Sequence, residues 1–257
     1  MLKQLLKHEW IATARKYSLF YIVLAAVTLF TGLVSLIESE NVVLTTMKGL
    51  IIGVYVITLV GMWFCSIGYA VVRFYKNMVS GEGYLTFTLP VTVPQLLISK
   101  LLVAFVWQLV TIAAILVSVL GLLGIQGHWD MIGTVVEQVL DTYKSLPVAV
   151  IFMFLGSMLY QLMVYYCSIA IGQTFTGNKI AGSIIGYVIL YVSTEVIMLG
   201  GVFAIGLIVG IDDINAYANS VDGMPMLFGV TGALMAVFAG IVFYITNRIF
   251  TKKLNLN

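Results

Sequence analysis

The chain has 257 residues, of which 61% are hydrophobic and 9% charged, and carries a formal net charge of +2. Its mean hydropathy is +1.07. A water-soluble domain has about 25% charged residues, so a chain this apolar cannot cover a water-facing surface, and a charge this small with no basic run gives no footing for nucleic acid.

The first stretch, residues 1–17, is predicted to be an interfacial helix. Leu2, Leu5, Leu6 and Trp10 fall on one arc and Lys7, His8 and Arg15 on another. Glu9, Ile11 and Lys16 break that pattern, which leaves open a second reading, a positively charged leader that only sets topology. Six apolar runs follow: Ser18–Ile37, Leu50–Val72, Leu101–Gly124, Val148–Ile171, Ile180–Ile211 and Met226–Ile245. Each reaches the roughly 20 residues that a membrane crossing needs. The first is read as a span and not as a cleavable signal, because it is too long and no small-x-small site follows it. Hydrocarbon leaves no backbone group to water, and the runs lack the alternation of a membrane barrel. The expected fold is therefore an all-α membrane protein with six transmembrane helices. Cys65 and Cys167 lie inside apolar runs and read as small packing residues.

The fifth run is too long for one crossing. Its 32 residues make a helix of about 48 Å, against a hydrocarbon core of about 30 Å. The Gly200–Gly201 pair predicts a break, with 180–200 crossing and Gly201–Ile211 forming a re-entrant or interfacial piece.

Between spans two and three lies the loop 73–99. Ser80-Gly-Glu-Gly83 is a turn cluster, Tyr84–Leu89 is short and apolar, and Pro90 ends it. Thr92-Val-Pro-Gln95 has the form of a capping box with proline in the first turn, so span three begins ahead of its apolar run. Between spans three and four, Ile132, Val135, Val136, Val139, Leu140 and Tyr143 repeat at helical spacing. An amphipathic helix over Asp130–Lys144 is predicted, either a lid on the helix ends or a gate that meets substrate.

Lys and Arg set the orientation. Lys3, Lys7, Arg15, Lys16, Arg73, Lys76, Lys100, Lys179, Arg248, Lys252 and Lys253 fall on one side, leaving Lys48 and Lys144 on the other. The base-rich side is cytoplasmic, so both termini are expected inside a multi-pass chain of the cell membrane.

Catalytic motifs fail on inspection. His8-Glu-Trp-Ile-Ala12 begins like a zinc-protease helix but has Ala12 in place of the second histidine. Gly172-Gln-Thr-Phe-Thr-Gly-Asn-Lys179 resembles a phosphate loop, but Asn178 stands where the lysine belongs. No enzyme activity and no metal site are expected of the chain itself. One ionisable residue, Glu195, lies within a span. It shares a helical face with Tyr187, Tyr191, Thr194 and Met198. A carboxylate there is either functional or held in a buried structural hydrogen bond. Gly182-x3-Gly186, Gly206-x3-Gly210 and Gly232-x3-Ala236-x3-Gly240 provide small-residue faces for close helix packing, within or between chains.

The order of parts resembles the type-two permeases of the ATP-binding-cassette (ABC) transporters, whose fold is shared with the G subfamily of eukaryotic ABC exporters. The segment Glu82-Gly-Tyr-Leu-Thr-Phe-Thr-Leu-Pro90 and the opening Leu6-Lys-His-Glu-Trp10 look like permeases of this kind from Gram-positive bacteria. The resemblance implies a non-catalytic exporter subunit for an amphipathic peptide, lipid or drug. It implies a second permease, identical or a sister chain, and separate ATP-binding subunits that hold ATP and Mg. It makes the loop a coupling helix, with Glu82, Gly83, Tyr84, Leu85, Thr86, Phe87, Leu89 and Pro90 meeting the ATPase. It puts spans two and five on the substrate path, with Tyr55, Thr58 and Trp63 on one and Tyr187, Tyr191, Thr194 and Glu195 on the other. The alternative is a stand-alone ion-coupled carrier that uses Glu195.

The orientation is checked by single cysteines in a background without Cys65 and Cys167. Cysteine at Asn41 or Asp222 is expected to react with an impermeant thiol reagent in intact cells, and at Ser80 or Asn255 to stay unlabelled. Labelling at Ser80 would invert the topology.

Overall fold

The computed structural model describes residues 2–37, 41–80, 83, 86, 88, 90–142, 146–175, 177–209 and 223–252. Seven long helices carry the described chain: α1 (Leu2–Ser35), α2 (Val42–Met78), α3 (Val93–Ile125), α4 (Trp129–Thr142), α5 (Leu146–Gly172), α6 (Lys179–Val209) and α7 (Gly223–Lys252). There is no strand among the described residues. All but α4 are long and apolar enough to cross a membrane. The chain is an all-helical, multi-pass membrane protein.

One expectation is refined and one corrected. No helix end separates residues 2–17 from the first apolar run. Neither Gly nor Pro occurs before Gly32, so nothing local ends the helix. The predicted break at Gly200–Gly201 is also not there, since α6 runs through both glycines to Val209. A glycine in a helix costs about 1 kcal/mol relative to alanine, less than the several kcal/mol of a backbone group left unpaired in hydrocarbon. The remainder of the expected re-entrant piece, from residue 210 on, lies outside the described residues.

Local signals hold elsewhere. α3 starts at Val93, and the Thr92 N–H donates to Gln95 Oε1 at 3.3 Å, one half of the expected capping box. Gly127, with φ of 77°, follows the end of α3 in the left-handed conformation that glycine adopts without strain. α4 has the length and position expected of the amphipathic segment, and Asp130 sits in its first turn, where the helix dipole favours an acid. The phosphate-loop look-alike is the turn between α5 and α6. Asn178 Oδ1 accepts from the N–H groups of Ile180 and Ala181 at 3.0 and 3.2 Å and so caps α6.

By its internal contacts the chain forms two compact units, Met1–Arg73 with Ile98–Val136, and Phe74–Leu97 with Glu137–Asn257. In the first, Trp107 of α3 lies between two rings of α1. Trp10 stacks on it at 4.3 Å between centroids and Tyr17 at 4.5 Å. Leu6 and Ala14 pack on the same cluster, so the apolar arc of residues 2–17 is turned toward α3. In the second unit, α5 packs against both α6 and α7. The backbones of α5 and α7 meet at Gly156 and Gly232: a Cβ on Gly232 would lie 2.7 Å from the Met153 Cα. Gly182 and Gly186 of α6 lie against Phe175 and Ile171. These two small-residue contacts serve packing inside the chain.

Gly156→Leu is therefore expected to lower the thermal unfolding midpoint in detergent, at a cost of roughly 1–3 kcal/mol or more from overpacking. Gly240→Ala, inside α7 where nothing lies within 4 Å, is expected to be neutral or to raise the midpoint, by up to about 1 kcal/mol.

Candidate functional site

One site gathers at Glu9, N-terminal to the apolar run of α1. Arg73, near the end of α2, donates to Glu9 Oε2 through Nε at 3.0 Å and through an Nη at 2.8 Å. Lys100 Nζ, near the start of α3, donates to Glu9 Oε1. All three side chains are mostly shielded from solvent. Burial by itself raises the Glu9 pKa, but the charges of Lys100 and Arg73 and their hydrogen bonds outweigh it and hold the carboxyl below its ordinary 4.5. One carboxylate thus ties three helices at the two stems of the 73–99 loop. The amphipathic reading of residues 2–17 treated Glu9 as a misfit. The available signal was that only Glu9 and Glu82 are acids within the base-rich segments.

Above this clamp a ladder of hydroxyls joins α1, α2 and α3. Trp107 Nε1 donates to Thr13 Oγ1 at 2.8 Å. The Tyr17 hydroxyl donates to the Ser66 carbonyl at 3.1 Å. Thr111 Oγ1 lies 3.0 Å from Ser66 Oγ and 3.1 Å from the Tyr21 hydroxyl. Ser118 Oγ lies 2.7 Å from Thr28 Oγ1 and 2.8 Å from the Tyr55 hydroxyl. Each rung pairs polar atoms that hydrocarbon would leave unsatisfied.

The second site is the polar face of α6. Tyr187 stacks on Tyr165 of α5 at 5.6 Å and on Tyr191 at 6.3 Å. The Tyr191 hydroxyl lies close to Glu195, one turn on. Thr194 pairs with the Tyr160 hydroxyl of α5. Tyr191 and Glu195 are exposed on the chain's surface, and Tyr187 is half-buried. Glu195 therefore stands on the surface of the chain with Tyr191 beside it. The sequence reading missed Tyr160 and Tyr165, since their connection to α6 is tertiary.

The residues expected on span two separate. Tyr55 is buried at 4% exposure with its hydroxyl on Ser118, which turns it into the first unit's core. Thr58 is half-buried, with Oγ1 returned to the Val54 carbonyl at 2.8 Å, and Trp63 is half-buried. Of the loop residues, Gly83 is buried with its N–H on the Ser80 carbonyl, Thr86 is half-buried and Pro90 exposed. Glu82, Tyr84, Leu85, Phe87 and Leu89 lie outside the described residues.

No model of a protein family, no curated protein and no solved structure matches the chain.

Removing the Glu9 charge leaves two cations facing each other. Glu9→Gln is expected to cost about 2–3 kcal/mol at neutral pH, somewhat under the roughly 3–5 kcal/mol of a fully buried pair. The Glu9 pKa is lowered on folding, so its contribution is complete above pH 4.5 and is lost as the pH falls through the depressed folded-state value. Thermal midpoints measured from pH 7 to pH 3 should draw together for parent and variant as the pH falls below 4.5.

Proposed function

We propose that the chain is the non-catalytic permease subunit of an ATP-driven ABC exporter of the cell membrane, with both termini in the cytoplasm. It forms the path for an amphipathic compound, a peptide, lipid or drug. Separate ATP-binding subunits hold ATP and Mg, and a second permease, identical or a sister chain, completes the pore. The observation that carries this reading is the Glu9 clamp. A cytoplasmic loop transmits a push only if its stems are rigid. Arg73 opens the 73–99 loop and Lys100 follows it, and both are bound to one carboxylate of α1. Displacement of the loop is thereby passed to α1, α2 and α3 together.

The loop's own residues support the same reading. Tyr84, Leu85, Phe87 and Leu89 fall within six positions, more apolar surface than water should see. A docked ATPase would cover them, and Glu82 would meet a basic residue on it. In this reading the α6 face at Tyr187, Tyr191, Thr194 and Glu195 borders the substrate path. A stand-alone ion-coupled carrier is the competing reading, favoured by the exposure of Glu195 in an apolar helix. The carrier would need no ATPase.

Tyr84→Ala combined with Phe87→Ala is expected to detach or uncouple the ATPase while the permease still inserts. Co-purification and substrate-stimulated ATP hydrolysis are the measurements. Full retention of both would mean that the patch faces lipid, and the exporter reading would fall.

A further inference from the structure

Glu195 is exposed about halfway along the long apolar helix α6. A carboxylate held against hydrocarbon is costly, and such groups sit beside water or a cation. Among the described residues no cation pairs with it. Lys179, at the start of the same helix, is about 24 Å away along the axis. What the chain does supply is aromatic. The rings of Tyr187 and Tyr191, stacked on one another, continue from the carboxylate toward the start of α6, and Tyr165 of α5 stacks on Tyr187. The strip from Tyr187 to Glu195 is about 12 Å long.

Aromatic faces are electronegative and attract cations, most strongly where water is excluded. A carboxylate at one end of such a strip adds a counter-charge. An inorganic divalent ion fits poorly, because it takes about six to eight oxygen ligands, and no group of three acidic, His or Cys side chains occurs among the described residues. An anion is repelled. We infer that the Tyr187–Tyr191–Glu195 face is a recognition site for an amphipathic organic cation, its charge beside Glu195 and its apolar body along the tyrosines. This rests on the reading of α6 as part of the substrate path and narrows the cargo from amphipathic compounds to cationic ones.

The test uses the full chain in phosphatidylcholine nanodiscs, with empty discs as baseline. Tetraphenylphosphonium is the probe and tetraphenylborate, nearly the same shape with opposite charge, the control. Saturable phosphonium binding is expected, weakened about tenfold or more by Glu195→Gln and by Tyr187→Leu with Tyr191→Leu. Glu195→Asp and Tyr187→Phe are expected to recover much of each loss, and borate binding should not weaken in Glu195→Gln. Carbodiimide labelling of Glu195 in the unmutated chain, read by mass spectrometry, gives a second measure that does not depend on folding of the variants. Phosphonium should protect the carboxyl and borate should not. Absent saturable binding, an unchanged affinity in Glu195→Gln, or a carboxyl that carbodiimide never reaches because a second copy seals the face would each overturn the inference. No ATPase is present in this assay. Failure of the exporter reading would therefore appear in the Tyr84/Phe87 experiment and leave the phosphonium result standing.

Discussion

Hydrocarbon neither donates nor accepts a hydrogen bond, and this constraint governs each level of the structure. Backbone groups close on themselves in six long helices, and α6 continues through Gly200–Gly201 although two glycines disfavour it. Several threonine hydroxyls follow the same rule, whereas Thr31 Oγ1 and the Gln108 amide are buried with no hydrogen-bond partner among the described residues. The hydroxyls of Thr28, Thr58, Thr111 and Thr246 each return to the carbonyl four residues back. Three of these also lie in the buried interior, where Thr28 and Thr111 reach a second helix. Single interhelical bonds in membranes contribute little, about 0.6 kcal/mol on average. Their larger effect is on specificity, because a slipped helix would leave several polar atoms unpaired at once.

The first unit concentrates polarity inward. Its hydroxyl ladder ends at the Glu9 clamp, where apolar surroundings give way to charge, and the Trp10–Trp107–Tyr17 stack fills the space between. Aromatic area and ionic geometry act on the same three helices. That combination explains why residues 2–17, which carry charges, stay packed on α3.

The α6 face does the reverse. Its window has the smallest share of residues buried within the chain among the six spanning helices, and it turns a carboxylate and a tyrosine outward. A membrane protein that hides hydroxyls so thoroughly in one unit and leaves a carboxylate on the surface of another treats the two differently. Interior polarity holds helices together, whereas surface polarity on an apolar helix awaits water or a binding partner.

Local chemistry was legible in the sequence. The six spans, the start of α3 at the Thr92–Gln95 box and the amphipathic helix α4 depend on composition and on spacings of a few residues. The shared face of Tyr187, Tyr191 and Glu195 was legible for the same reason, since helical periodicity alone puts them together. The tertiary structure decided the rest. Glu9 meets Arg73 and Lys100 across 64 and 91 residues of sequence, and Tyr55 turns inward to Ser118 across 63. Periodicity identifies which residues share a helix face, but it does not say which helix that face will meet. For a helix that is apolar all round, lipid and a neighbouring helix are nearly equivalent solvents, so only the few polar and small residues choose between them, and they do so through contacts distant in sequence.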